Sequence, residues 1–472
     1  MSEKQKSQHW LVTLTTLCPV HIGSGNSLKQ NLDYFTKDSK TIILNRDKLE
    51  EKVAENAKFT EYAQAIADNN VSGFLPAIGG EKAVLKENLP FETNSDLKLF
   101  MRNGFNIPYI PGSSLKGAIR TLFAKYYALK IEPQIDWTQY RENKKNNIFM
   151  NANKLEDSLF GHIQSDWMRT IMVADSMLQE SDLEWNPVKV FSKTHNENLQ
   201  PKHWFMGIET TKSQITTQFQ FGFNAPLLER LQGNQPLKTA VRDNLLNVLK
   251  TASIQRIKEE KEFAEKYKQQ KIAQFYENLE KMSLTDLEFL MPMSWGTGWR
   301  GVTGNLLPEN FIKDLRNQGW KIGKIDKGNV VHPFPKSQRW VVQGKNDAVS
   351  PLGWVKLSFQ SMENYKEEKL KAYELQIEQE RLDQEEQQRL LDEEEQLASM
   401  SDVDRLIVNM KNDPKFDYMK EYPKLETAGE DQRKLAEAFK EVFQRDNNWE
   451  DDKPSKKQLV KIARIKEILG ES

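Results

Sequence analysis

The sequence predicts an α+β fold: a β-sheet core with helical insertions, followed by a helical C-terminal extension. Three observations carry that prediction. Strand-like and helix-like segments mix through residues 10–358 in an order unlike strict βαβ alternation. Glycine turns punctuate the same region at 23–25, 112–117 and 296–301. From Glu363 to Met400 there is neither glycine nor proline, and Glu and Gln are dense, which predicts one long solvated helix.

The elements follow in order. Residues 10–17, WLVTLTTL, are β-branched and aromatic and read as a strand. The turn HIGSG occupies 21–25. KTIILNRDKL (40–49) reads as a strand entering a helix, residues 46–70 as helical, and DNNVSGFLPAIGG as loop. In YIPGSSLKGAIRTLF (109–123), Gly112 supplies turn freedom and Ser113 or Ser114 is placed to cap a helix. Leu115, Ile119, Leu122 and Phe123 then fall on one helical face, toward a core. Residues 130–150 read as loop, and LEDSLFGHIQ (155–164) as a short helix ending at Gly161. RTIMVADSM (169–177), HWFMGIETT (203–211) and QITTQFQFG (214–222) read as strands. Residues 226–288 carry charged helical patterns. MSWGTGWRGVTG (293–304) interrupts them, and PLGWVKLSF (351–359) closes as a strand. Residues 401–472 read as a small helical module.

Composition excludes several function classes. Net charge is −1, so the chain is not a wholly basic nucleic-acid binder, although a local basic groove remains open. Cys18 is the sole cysteine, which excludes a disulfide scaffold and a multi-cysteine zinc site and suits a reducing cytoplasm. The N-terminal MSEKQKSQHW has no apolar core or cleavage signature, and no apolar run is long enough to span a bilayer. A cytoplasmic protein with no membrane partner is expected. The six histidines contain no i, i+4 pair of the helical metal-site kind, and Cys18 has no local activating signature. No metal and no cofactor are expected.

The chemistry-bearing motifs are short. A helix N-terminus offers unpaired N–H groups and a positive dipole end, so PGSSLKG at the mouth of a helix points to an anion, or simply caps the helix with no ligand. It is not a Walker loop: Lys116 precedes Gly117, and Ala118 stands where a magnesium-binding hydroxyl belongs. Glycines at 23 and 25 let backbone approach a phosphate, or simply turn a hairpin. His21 beside them reads as a packed or hydrogen-bonded histidine rather than a general base. Trp295, Gly296, Thr297, Gly298, Trp299 and Arg300 offer stacking surfaces and a phosphate-pairing guanidinium, or two core tryptophans anchoring a loop. Lys336 and Arg339, in KSQRW, are placed for phosphate or solvent. Asp33 follows the first glycine turn. In an RNA site it would orient a 2′-hydroxyl for cleavage; elsewhere such a residue caps a turn.

The combination is more specific than its members. HIGSG, then YIPGSSLKGAIR, LFG with a following ADS, the late WGTGW and the closing PKSQRW…PLGWVKL together resemble the RAMP superfamily of CRISPR proteins. Within it the set is most similar to the fifth-subunit family of the type III-A Csm effector complex, over roughly residues 10–358. The resemblance implies a ferredoxin-like (RRM-type) βαββαβ core with helical insertions. It implies residues 1–225 as that core, 226–290 as a helical insertion, and 291–360 as the glycine loop and closing strands. The acidic helix 361–400 and the helical tail 401–472 depart from the family pattern.

Functionally, the resemblance implies a non-catalytic subunit that binds the 3′ part of CRISPR RNA, caps the filament of repeated backbone subunits and supports guide maturation. The partners implied are CRISPR RNA and other type III effector subunits, with target RNA as a further candidate. Carried over motif by motif, Gly23, Ser24 and Gly25 match the first loop, and Gly112, Ser113, Ser114, Lys116 and Arg120 match the signature loop and helix. Gly296, Gly298, Trp299 and Arg300 match the late loop. With His21, Trp295, Lys336 and Arg339 these make the expected RNA-contacting set, converging on one cradle. Asp33 is the one weak catalytic candidate. Two other readings stay open: an endoribonuclease of the same superfamily, and a protein-only scaffold.

Overall fold

The computed structural model describes every residue except 1–6, 94, 145–146, 195, 197, 294, 302–305, 308, 323–332, 336, 414, 450–454 and 472. Five antiparallel strands form the first sheet: β1 (Ser7–Thr16), β2 (Ile171–Val173), β3 (Thr216–Asn224), β4 (Glu288–Pro292) and β5 (Trp354–Ser361). Their spatial order is β2-β3-β1-β5-β4. Alternation sets the two faces of the sheet. Val12 and Leu14 of β1 are fully buried, while Thr13 and Thr15 between and beyond them are partly exposed. Val12 lies opposite Phe219 and Phe359, so one face becomes an apolar wall.

Helix α1 (Gly112–Tyr126) packs in that core, and Leu115, Ile119, Leu122 and Phe123 are each at most 1% exposed. It lies in the connection from β1 to β2, two strands that flank β3. Between β3 and β5 the chain forms α2 (Gln235–Lys266), a helix Gln270–Glu280, and β4. Hydrophobic burial of this size is the main stabilising term.

A second sheet runs in the order Asp347–Ser350, Ser337–Gln343, Leu183–Lys193, Met206–Thr211, Leu97–Phe100, Gly23–Leu28. Its longest strand, Leu183–Lys193, carries no clean signal in sequence because Pro187 interrupts it. The structure accommodates the proline where only one edge is paired: Pro187 faces Gly207, and the ladder to Ser337–Gln343 begins at Val188. Residues 130–150 are more ordered than their polarity suggests. Trp137 and Tyr140 are buried in the main core, and Arg141–Lys144 pairs with Asn147–Met150 as a hairpin. A three-stranded sheet (Tyr34–Lys37, Lys40–Leu44, Leu85–Leu89) and helices Arg46–Glu55 and Phe59–Ala67 enclose a separate small core around Phe35, Leu49 and Phe74.

The chain divides into two units, Met1–Lys366 and Glu367–Ser472. In the second, helices Asp402–Asn412, Gln432–Arg445 and Lys456–Leu469 pack around Leu435, Phe439 and Phe443. The 38-residue helix Met362–Ser399 leaves Leu370, Tyr373, Leu375 and Leu382 exposed. Among the described residues no helix is long and apolar enough to cross a membrane.

Candidate nucleic-acid interface

The first glycine turn leaves β1 and enters the second sheet. His21 is 1% exposed, and its Nδ1–H donates to the Glu209 carbonyl at 2.7 Å. Burial pulls its pKa down to about 4, so the ring is neutral at neutral pH. A Cβ on Gly23 would come within 3.1 Å of His21 Nε2, so glycine there lets ring and turn approach closely. Gly25 takes φ +84°, a left-handed backbone that favours glycine. The Ser24 hydroxyl donates to the Leu99 carbonyl at 3.3 Å. Behind the turn, Glu209 is buried, and its carboxylate accepts from Phe100 N at 2.8 Å and from Arg102 at 2.6 Å. Burial pushes the Glu209 carboxyl above its ordinary value, against the opposing pull of those two donors. Arg102 also forms a two-pronged pair with Glu180.

The late glycine loop meets this turn. Trp295 N–H donates to the His21 carbonyl at 3.4 Å, and the two rings meet edge to face at 5.8 Å. Arg339, from strand Ser337–Gln343, lays its guanidinium 4.4 Å over the Trp295 ring, and Lys98 places Nζ 5.7 Å from the same ring. Gly298, at φ +62°, packs beside Arg339, and Gly296 is pressed against Leu352 so closely that a Cβ would lie 2.2 Å away. Burial lowers the pKa of Arg339, whose Nε is buried with no hydrogen-bond partner. Among the described residues neither Arg339 nor Lys98 has an ion pair. Two cations around one indole, partly stripped of water and lacking a counter-ion, make a site that an anion would complete.

The signature loop departs from expectation in two ways. Pro111, not Ser113 or Ser114, occupies the N-cap of α1, and no side chain caps from that position. Ser113 is exposed and Ser114 half-buried, both inside the first turn. The Gly112 N–H donates instead to Asp175 Oδ1 at 2.7 Å, so a carboxylate from the ADS segment already answers that end of the helix. Gly112 does not use a left-handed backbone either. A Cβ would lie 2.1 Å from the Val173 carbonyl oxygen, so glycine is there for close packing on β2.

Lys116 is half-buried, without an ion pair among the described residues. Burial lowers its pKa; Asp166 opposes that effect, while Arg120 and Arg169 reinforce it. Arg120 is occupied: it pairs with Asp166 at 2.7 Å and Glu156 at 3.2 Å, and lies 3.9 Å over Phe160.

The structure therefore gathers His21, Gly23, Trp295, Gly298 and Arg339, and adds Lys98, which the sequence did not single out. It does not bring the signature loop into that cluster. Gly112 packs on β2, one edge of the first sheet, whereas Trp295 follows β4, the opposite edge. The two are linked through residues 101–109: Met101 N–H donates to the Ile22 carbonyl at 2.7 Å, and Tyr109 N–H to the Met101 carbonyl at 3.2 Å. Trp299 turns away to meet Phe334 edge-on at 4.9 Å. Lys336 and the side chain of Arg300 lie outside the described residues. Asp33 Oδ2 accepts from Lys29 N–H at 2.8 Å, a turn-capping contact. Lys98, Arg102 and Glu209 escaped the sequence reading because nothing local marks them, although Asp175 sits in a segment already noted.

The RAMP superfamily model matches residues 13–300. The CRISPR system Cms protein Csm5 of Methanocaldococcus jannaschii is 23% identical over 391 residues, 74% of this chain and 89% of that protein. The protein of the same name from Enterococcus italicus is 31% identical over 144 residues, 24% of this chain but only 41% of its own length. A chain in the cryo-EM structure of a Csm–crRNA–target RNA ternary complex from a type III-A CRISPR-Cas system shares the fold, with TM-score 0.51 and 21% identity. That likeness covers 74% of this chain and 100% of the other. With the family model spanning more than half of its length, this chain belongs to the RAMP superfamily.

Proposed function

We propose that the chain is a non-catalytic, CRISPR RNA-binding subunit of a type III effector complex. In this reading it caps the filament of repeated backbone subunits at the 3′ end of the guide and supports guide maturation. The observation that carries it is the pair of cations, Arg339 and Lys98, held on Trp295 with no counter-ion among the described residues. A phosphodiester is the anion that suits such a site, since backbone contacts hold a strand without reading its sequence. The names of the curated relatives point the same way. The order β2-β3-β1-β5, with helical connections from β1 to β2 and from β3 to β5, supports a ferredoxin-like core. A cytoplasmic location belongs to the same reading.

The test is purification from the native cell, with sequencing of bound RNA and identification of co-purified chains. CRISPR-derived RNA of defined 3′ end, accompanied by other effector subunits, is the expected result. Effector subunits without RNA contact, checked by crosslinking, would favour a protein-only scaffold. RNA cleavage by the pure chain, lost in Asp33→Ala, would replace the capping role with an endoribonuclease.

A further inference from the structure

We propose that Phe105 stacks on one nucleobase of the bound strand, between the Arg339–Lys98 pair and Lys116, the cations without an ion pair among the described residues that would take its phosphates; this rests on the RNA-binding reading above. Phe105 is 88% exposed, at the tip of a loop whose ends pair at Arg102 and Pro108. The tip is held from within. Asn103 Oδ1 accepts from Phe105 N at 2.9 Å and from Ile107 N at 3.0 Å. Asn103 N–H donates to the Ile107 carbonyl and Asn106 N–H to the Asn103 carbonyl, each at 3.0 Å, while Asn106 takes φ +61°. The polar groups close inward and the aromatic ring is left outside. Exposing a phenylalanine forgoes roughly 1.5–3 kcal/mol of burial, and the internally bonded loop holds the ring out at its tip.

Position identifies the occupant. The root of the loop, Met101, is hydrogen-bonded to Ile22 on one side and Tyr109 on the other. The tip therefore rises from the segment that joins the His21–Trp295–Arg339 cluster to the mouth of α1 and Lys116. A strand with phosphates on both would run past the root of this loop. Around the ring, Asn103, Gly104 and Asn106 are polar or small, and only Ile107, 43% exposed, adds apolar surface on the loop. That is the width of a base, far short of the roughly 800 Å² per partner of a stable protein interface. Stacking accepts any base, which suits a subunit that serves guides of every sequence.

The experiment uses the full chain and a single-stranded RNA carrying one 2-aminopurine, scanned along its length. Phe105→Ala should bind between about fivefold and a hundredfold more weakly. Its salt dependence should be unchanged, because a stacking ring displaces no counter-ions. Quenching of 2-aminopurine at one position should vanish in Phe105→Ala and return in Phe105→Trp. Wild-type affinity and quenching in Phe105→Ala would overturn stacking while leaving the RNA reading intact. So would unchanged RNA binding with loss of co-purified protein subunits, which would make the tip a protein contact. If the wild-type chain bound no RNA, the broader reading would fall and this one with it.

Discussion

Arg339 is an expensive residue as it stands. Its guanidinium is stacked and partly desolvated, and its Nε has no partner. Paired with a phosphate, it should displace about one counter-ion. Arg339→Ala should therefore lower the slope of log affinity against log salt by about 0.7 for single-stranded RNA, and Lys98→Ala should do the same. An unchanged slope in both would remove the cluster from the RNA path. His21 supplies a pH prediction. Its ordinary value is 6.5 and burial takes it to about 4, so between those values the unfolded chain holds the proton and the folded chain does not. Its contribution to stability is complete above pH 6.5 and is lost as pH falls toward 4, about 3 kcal/mol in all. His21→Gln should flatten the difference between melting temperatures at pH 7 and pH 5 relative to wild type.

At the scale of elements, α1 is fixed by contacts made at its first residue and at its third turn. Gly112 sits on the β2 backbone, and Gly112→Ala would force helix and strand apart. Denaturant midpoints should report a loss of about 1–3 kcal/mol, in the range of core overpacking. Arg120 belongs to the same task. It joins α1 to helix Ala152–Phe160 and to the turn at Trp167–Thr170 through Glu156, Asp166 and Phe160. Arg120→Ala should lower stability by about 1–3 kcal/mol while leaving the salt slope of RNA binding unchanged. A lowered slope would return Arg120 to the RNA-contacting set.

For the molecule as a whole, the second unit has its own core. Phe439 and Phe443 lie at its centre, at most 1% exposed, in an apolar cluster whose described members come from residues 403–469. Phe439→Ala should cost about 3–5 kcal/mol there. Calorimetry should then show one transition lowered and the transition of residues 7–366 unmoved; a joint shift of a single transition would mean that the two units unfold together.

What the sequence determined alone is local. Alternation in WLVTLTTL and QITTQFQFG marks strands with one apolar face, and the spacing of Leu115, Ile119, Leu122 and Phe123 marks the buried side of α1. The glycine motifs marked the family. Periodicity needs only near neighbours, so it survives in the bare chain. Only the tertiary structure decided that Trp295 would stand against His21, Lys98 and Arg339, that Asp175 would answer the start of α1, and that Arg120 would be consumed by structure. Those outcomes depend on which strands become neighbours and at which edge of a sheet each loop emerges. Strand order arises from the packing of the entire core, and no short stretch of residues carries it.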